Sequence, residues 1–147
     1  MKKRVDVVSI KLIKESSFFY EPRIISTAVS AASLISSMLC ERDREAFVVA
    51  CLDTKLQPMN INICSIGTLN SSLVHPREVF KSAILSNAHA IIIGHNHPSG
   101  NITPSPEDRA ITTRLKECGS LLGISLIDHI IIAPDKRFTS FKDQGLL

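Results

Sequence analysis

Two histidines, His95 and His97, follow a short apolar run at residues 90–93 that ends at Gly94. Such a run is typical of a strand that is buried on both faces of a sheet. Because alternate residues of an extended chain project to the same side, both imidazoles face one way and Asn96 faces the other. Pro98 begins a segment that predicts a turn and ends the strand. The spacing therefore predicts a pair of metal ligands at the end of a buried strand.

The helix predicted after this turn brings a third candidate ligand. Ser105 suits the N-cap position, Pro106 suits the first helical position, and Asp108 stands three residues after the cap. Because the turn is short, the Asp108 carboxylate can return towards the two imidazoles. Two neutral histidines and one carboxylate can hold a catalytic zinc ion and leave one position for water. A second interpretation stays open, in which Ser105 and Asp108 form only a capping box.

The spaced residues of these two segments resemble the signature of the JAB/MPN (JAMM) metallopeptidases, in the form His95-x-His97-x7-Ser105-x2-Asp108. Three segments resemble the RadC-like branch of that family, at residues 95–100, 74–78 and 128–129. The resemblance covers residues 26–147 and implies an α/β fold, with a mixed β-sheet flanked by helices on both faces in a cytidine-deaminase-like three-layer architecture. It implies a zinc-dependent hydrolase of amide or isopeptide bonds in a peptide or protein, with zinc ligands His95, His97 and Asp108.

The resemblance also implies roles for two residues that are not metal ligands. In the JAMM pattern, a glutamate at the start of an upstream strand takes a proton during catalysis. Glu45 matches that place because it leads into the strand predicted at residues 46–52, whereas Glu41 is the alternative base. A solvated surface charge is the other interpretation of Glu45. Ser105 resembles the family serine that donates a hydrogen bond to the oxyanion, although it could serve only as the N-cap.

Three other histidines have no assigned place in this pattern. His75 precedes a proline at a predicted helix start, which favours a helix cap or a donor to a ligand. His129 follows Asp128 within an apolar strand. It could be a hydrogen-bond partner of a metal ligand or a satisfied core histidine. His89 is interpreted as structural.

The predicted order of helices and strands agrees with the α/β class. Residues 1–25 are predicted to form an N-terminal edge strand at 5–13 and a connection, and residues 26–147 form the main domain. A hairpin followed by alternating helices and strands favours a mixed sheet with helices on both faces. The predicted elements are 26–39, 46–52, 59–66, 76–87, 89–93, 106–119, 124–133 and 138–141, with a loop at 67–72.

Composition limits the class of function. The chain has 147 residues, of which 44% are hydrophobic and 21% are charged, as is typical of one globular domain. A net charge of +3 and the absence of tryptophan give nucleic acid little to bind, so we expect no tight nucleic-acid complex. The segment before residue 26 is too short for the helix-hairpin-helix region of full-length RadC-like proteins. The alternative function is a non-catalytic or DNA-repair-associated accessory protein that keeps the fold.

Further patterns bear on location and on rival chemistry. Four cysteines without CxxC spacing favour a reducing compartment. We predict no signal peptide and no membrane span, and we therefore expect a cytoplasmic protein without membrane contact. A zinc nucleoside deaminase is excluded because the chain has neither His-x-Glu nor Pro-Cys-x-x-Cys. A homodimer is left open.

Overall fold

The computed structural model describes residues 1–67 and 74–147 of the chain. Within these ranges the chain forms three helices and five strands. In chain order they are α1 (Ala28–Leu39), β1 (Ala46–Leu52), β2 (Pro58–Ile66), α2 (Pro76–Leu85), β3 (Ala90–Asn96), α3 (Pro106–Leu122), β4 (Ser125–Ile132) and β5 (Phe138–Ser140). The loop predicted at 67–72 lies outside the described residues, apart from Gly67.

The five strands form one mixed sheet in the order β2-β1-β3-β4-β5. Strands β3 and β4 are parallel, and α3 forms the crossover between them. The other three neighbouring pairs are antiparallel, including the predicted hairpin of β1 and β2. Every residue of β1 and β3 is buried, which explains why both strands begin as continuous apolar runs in the sequence.

Helices cover both faces of this sheet. One core cluster joins α1 to the sheet and contains Ile35, Val48 and Ile92. A second cluster joins α2 and α3 to the opposite face and contains Phe80 and Leu115. The predicted α/β class, with a mixed sheet and helices on both faces, is therefore confirmed.

An extra residue in β4 decides which of its side chains face which core. Ile127 has no partner in the ladder that joins β4 to β3, where the register shifts by one residue. Leu126, before the shift, packs in the core of α2 and α3, whereas Ile130, after it, packs in the core of α1. In a regular strand these two residues would face the same side. Because of the shift, His129 lies on the face covered by α2 and α3.

Glycines mark a close contact and the end of α3. The sequence predicts that this helix stops at Gly119, but that prediction is wrong because the helix continues to Leu122. A Cβ atom at Gly119 would lie 2.4 Å from the carbonyl oxygen of Ile124, so glycine permits the close approach of that chain segment. The helix ends instead at Gly123, whose φ of 73° is left-handed.

The predicted N-terminal edge strand is wrong. In the described ranges, residues 5–13 form no strand and pair with no strand of the sheet. The side chains of Val5 and Val7 are 79% and 99% exposed. An alternating pattern indicates that a segment suits a strand, but the partner strand depends on the whole fold.

The described residues also bear on the predictions about membranes and cysteines. None of the helices in those residues has both the length and the apolar character needed to cross a bilayer. All four cysteines are free thiols, of which Cys51 is buried and the other three are partly buried. Free cysteines in such surroundings pack as small apolar residues.

Gly94 offers a test of how closely α1 packs on β3. A Cβ atom at this position would lie 2.4 Å from Cγ2 of Ile35. We expect Gly94→Ala to lower the free energy of unfolding by ~1–3 kcal/mol in a urea titration, because the helix must move away. In an Ile35→Ala background, which removes the opposing atom, the same substitution should cost less. An equal cost in both backgrounds would contradict this packing.

Candidate metal centre

Three side chains converge at the carboxyl end of β3. The Nε2 atoms of His95 and His97 are 2.9 Å apart. One carboxylate oxygen of Asp108 is 3.1 Å from His95 Nε2, and the other is 3.4 Å from His97 Nε2. Ligand atoms around a tetrahedral zinc ion are about 3.3 Å apart, as follows from the usual bond lengths. The donor atoms all lie within 4.8 Å of one another, and their arrangement fits a metal ion.

A backbone carbonyl sets the orientation of His97. The Nδ1 atom of His97 lies 2.6 Å from the carbonyl oxygen of Asn101, in the turn after β3. Because a carbonyl can only accept, Nδ1 carries the hydrogen and donates it. In the neutral ring, Nε2 then presents its lone pair towards His95 and Asp108, as metal ligation requires.

Asp108 combines two roles that the sequence presents as alternatives. Its Oδ2 atom accepts a hydrogen bond from the Ser105 amide at 2.9 Å, and the Ser105 hydroxyl accepts one from the Asp108 amide at 3.0 Å. These bonds form the predicted capping box of α3. The same carboxylate faces His95 and His97 through its two oxygens. Capping therefore aims the carboxylate at the histidines and does not compete with them.

Hydrogen bonds between these three residues set the charge of the site. When Nε2 of His95 or His97 carries a hydrogen, the ring donates it to the Asp108 carboxylate. Burial alone would raise the pKa of Asp108, but these hydrogen bonds outweigh the effect of burial and hold that pKa well below its ordinary value. The hydrogen bond to Asp108 in turn raises the pKa of His97. Asp108 is therefore an anion at neutral pH and can act as a charged ligand.

The half-buried Glu45 lies beside the converging side chains. Phe47 of β1 pairs with His95 of β3, so the antiparallel register, continued by two residues, sets Glu45 opposite His97. Together with the hydrogen bond to Asp108, the negative charge of Glu45 raises the pKa of His97. The sheet therefore brings a second carboxylate close to the candidate metal centre.

An open cleft adjoins the site on the side of Glu45. It has a volume of about 510 Å³ and is lined by Asp43, Arg44, Glu45, Gly67 and Pro98. Glu41, the alternative base, is exposed in the turn after α1 and does not line this cleft. Glu45 and the turn that follows the histidines are therefore both open to the cleft.

Asn96 clamps the backbone that carries Glu45. Its Oδ1 atom accepts a hydrogen bond from the Ala46 amide at 2.8 Å, and its Nδ2 atom donates one to the Arg44 carbonyl at 3.0 Å. The Gly67 amide donates to the carbonyl of Glu45 itself at 2.7 Å. The sequence predicts only that Asn96 faces away from the two histidines. Its partners are far away in the chain, and no local pattern points to them.

His129 is both a buried histidine and a direct neighbour of His95. Its Nε2 atom lies 2.8 Å from Nδ1 of His95, and its Nδ1 atom lies 2.6 Å from the Thr112 hydroxyl. His129 is therefore both a core histidine with its hydrogen bonds satisfied and a hydrogen-bond partner of a candidate metal ligand. His75 is the N-cap of α2, because its Nδ1 atom accepts a hydrogen bond from the Arg77 amide.

The fold and the site together define a JAB-type α/β domain with a His-His-Asp group that fits a JAMM-type metal site. A sequence profile described as the RadC-like JAB domain matches residues 25–146. The chain therefore belongs to the RadC-like JAB domain family, as the motif in β3 and α3 implies.

Curated relatives in this family bear the name UPF0758 protein. The one from Methanosarcina mazei is 46% identical over 132 residues, which are 89% of this chain and 57% of the relative. The one from Moorella thermoacetica is 48% identical over 132 residues, with 90% and 57% covered. The one from Thermotoga maritima is 50% identical over 105 residues, with 71% and 47% covered. The chain thus spans about half the length of these relatives.

Asn96→Ala tests the clamp on the β1 backbone. The substitution removes the side-chain partner of the Ala46 amide and of the Arg44 carbonyl. The buried Ala46 amide is left unsatisfied, at a cost of about 1–3 kcal/mol. We expect a lower free energy of unfolding in a urea titration of the metal-free protein. Asn62→Ala on β2 is the control, because the side-chain oxygen of Asn62 makes a long contact of 3.8 Å with Cys64. Equal losses in the two variants would contradict the clamp.

Proposed function

We propose that the protein is a zinc-dependent hydrolase of the JAMM type, which cleaves an amide or isopeptide bond in a peptide or protein. The observation that carries this proposal is the convergence of three donor side chains beside Glu45, which itself lines an open cleft. Membership of the RadC-like JAB family supports it. The site combines groups that can bind a metal, move a proton and donate to an oxyanion.

Zinc suits the donor atoms of His95, His97 and Asp108. Two imidazole nitrogens and one carboxylate occur together in catalytic zinc sites, where a fourth position is open to water. Bound zinc supplies a Lewis acid that polarises a carbonyl and makes water a nucleophile near neutral pH. The Asp108 anion offsets one of the two positive charges of the ion.

Glu45 is the proposed general base and general acid. Its carboxylate takes a proton from the attacking water and delivers it to the departing amine nitrogen. The register of β1 and β3 keeps Glu45 beside His97, yet Glu45 is not part of the converging donor group. The hydrogen bonds of Asn96 hold the backbone on both sides of Glu45, so the side chain starts from a defined position.

Ser105 is the proposed donor to the oxyanion. Its hydroxyl accepts a hydrogen bond from the Asp108 amide, which uses an oxygen lone pair. A hydroxyl that accepts in this way keeps its own hydrogen, which it can donate to a substrate oxygen. The capping role and the oxyanion role, which the sequence presents as competing, are therefore compatible on one side chain.

Metal content tests the ligand set. We expect the purified protein, after incubation with zinc and removal of excess ion, to carry about one zinc per chain by elemental analysis. His97→Ala should lose the metal because two donor residues remain. His89→Ala, which removes an exposed histidine, should keep it. Stoichiometric zinc in a variant that lacks both His95 and His97 would contradict the assignment.

Glu45→Gln separates catalysis from metal binding. The substitution keeps the size of the side chain but removes the proton acceptor, so zinc content should stay unchanged while the rate falls about 10²–10⁴-fold. The rate is measured on isopeptide-linked and short peptide libraries. Glu41→Gln is the matched control and should retain the parent rate. Loss of zinc from Glu45→Gln would make Glu45 a ligand, and an unchanged rate would exclude it as the base.

A further inference from the structure

A chain of buried hydrogen bonds runs behind the metal-facing side of His95. Its Nδ1 atom, which does not face His97, is 2.8 Å from Nε2 of His129. The Nδ1 atom of His129 is 2.6 Å from the Thr112 hydroxyl, which donates to the Asp108 carbonyl at 2.7 Å. This series of hydrogen bonds thus starts at one candidate ligand, His95, and ends at the backbone of another, Asp108.

One arrangement of hydrogens along this chain is compatible with ligation by His95. Ligation through Nε2 leaves the hydrogen of the neutral ring on Nδ1, and His129 must accept it. A neutral His129 that accepts at Nε2 carries its own hydrogen on Nδ1 and donates it to Thr112. The Thr112 hydroxyl then donates to the Asp108 carbonyl, which can only accept. Every donor in the chain has an acceptor in this arrangement.

Aromatic rings enclose the His129 side chain. The side chain is 0% exposed, and the ring of Phe141 stacks on it with a centroid distance of 4.4 Å. The ring of Phe47 approaches from another side at 5.8 Å. These contacts restrict the orientation of the imidazole, so that its Nε2 atom stays directed at Nδ1 of His95.

We propose that His129 and Thr112 are positioning residues of the metal centre. They hold the His95 ring in the tautomer and the orientation that present Nε2 to the metal, and they fasten that ring to the backbone of Asp108. This inference rests on the proposed metal site and extends it beyond the ligands. Groups behind ligating histidines are commonly carboxylates, carbonyls or water. A histidine and a threonine can give the same orientation without adding a negative charge of their own.

Zinc affinity is the property that this proposal predicts to change. A competition titration against a chromophoric zinc chelator measures it for each variant. Thr112→Val removes the hydroxyl but keeps the shape of the side chain, and His129→Phe keeps a ring in place. Each should weaken zinc binding by about 10–100-fold. Thr112→Ser and His129→Gln, which retain a donor and an acceptor, should recover much of the affinity.

Ser140→Ala is the matched control for the loss of a buried hydroxyl. The Ser140 hydroxyl donates to Asp128 at 2.6 Å, and Asp128 faces the opposite side of β4 from His129. This variant should melt at a lower temperature yet bind zinc with parent affinity. If Thr112 had a purely structural role, Thr112→Val would likewise melt at a lower temperature and bind zinc with parent affinity. Parent-like zinc affinity in both Thr112→Val and His129→Phe overturns the proposal.

The zinc-loaded parent protein gives a test that does not depend on how the variants fold. Nitrogen-proton correlation spectra of protein with labelled histidine should place the ring hydrogen on Nδ1 in both His95 and His129. A hydrogen on Nε2 of His129 in the zinc-bound protein overturns the positioning role, although the metal site itself then stands. If the parent protein binds no zinc in the titration, the metal site fails and the positioning role fails with it.

Discussion

The antiparallel register of β1 against β3 is the constraint on which the candidate site depends. Phe47 pairs with His95 across these buried strands, and the Asn96 side chain holds the β1 backbone on both sides of Glu45. A slip of one residue would turn Glu45 to the opposite face of the sheet. The buried sheet therefore sets the separation between the proposed base and the metal donors, whereas an exposed loop could not hold it so firmly.

Several polar groups of the site are buried, and hydrogen bonds offset the cost of burying them. Asn96, Asp108 and Thr112 are each less than a tenth exposed, and each has hydrogen-bond partners on another residue. Among the described residues, one buried side-chain atom lacks a partner, Oδ1 of Asn60 on β2, outside the metal centre. Because an unpaired polar group is costly in such surroundings, each partner also restricts the orientation of the side chain it pairs with.

Signals between neighbouring residues were enough to predict the parts of the site in β3 and α3. Strand alternation and helix capping act over a few residues, so the directions of His95 and Asp108 could be inferred from the sequence. The orientation of His129 could not be inferred in this way. The extra residue Ile127 reverses which face of the sheet the later side chains of β4 point to, and the local sequence does not indicate that extra residue. The clamp of Asn96 joins residues 50 positions apart, and such a pairing is a property of the folded sheet.

The three candidate ligands belong to one strand-turn-helix segment, whereas Glu45 and His129 come from β1 and β4. Donors so close in sequence can be gathered by closing a short loop, which costs little conformational entropy. A metal ion that binds these three side chains would therefore also bind the unfolded chain to some degree, and it would stabilise the native state by less than its affinity for that state alone implies. During synthesis, a nascent chain would be able to take up such an ion before β4, and with it the residue behind His95, has been made.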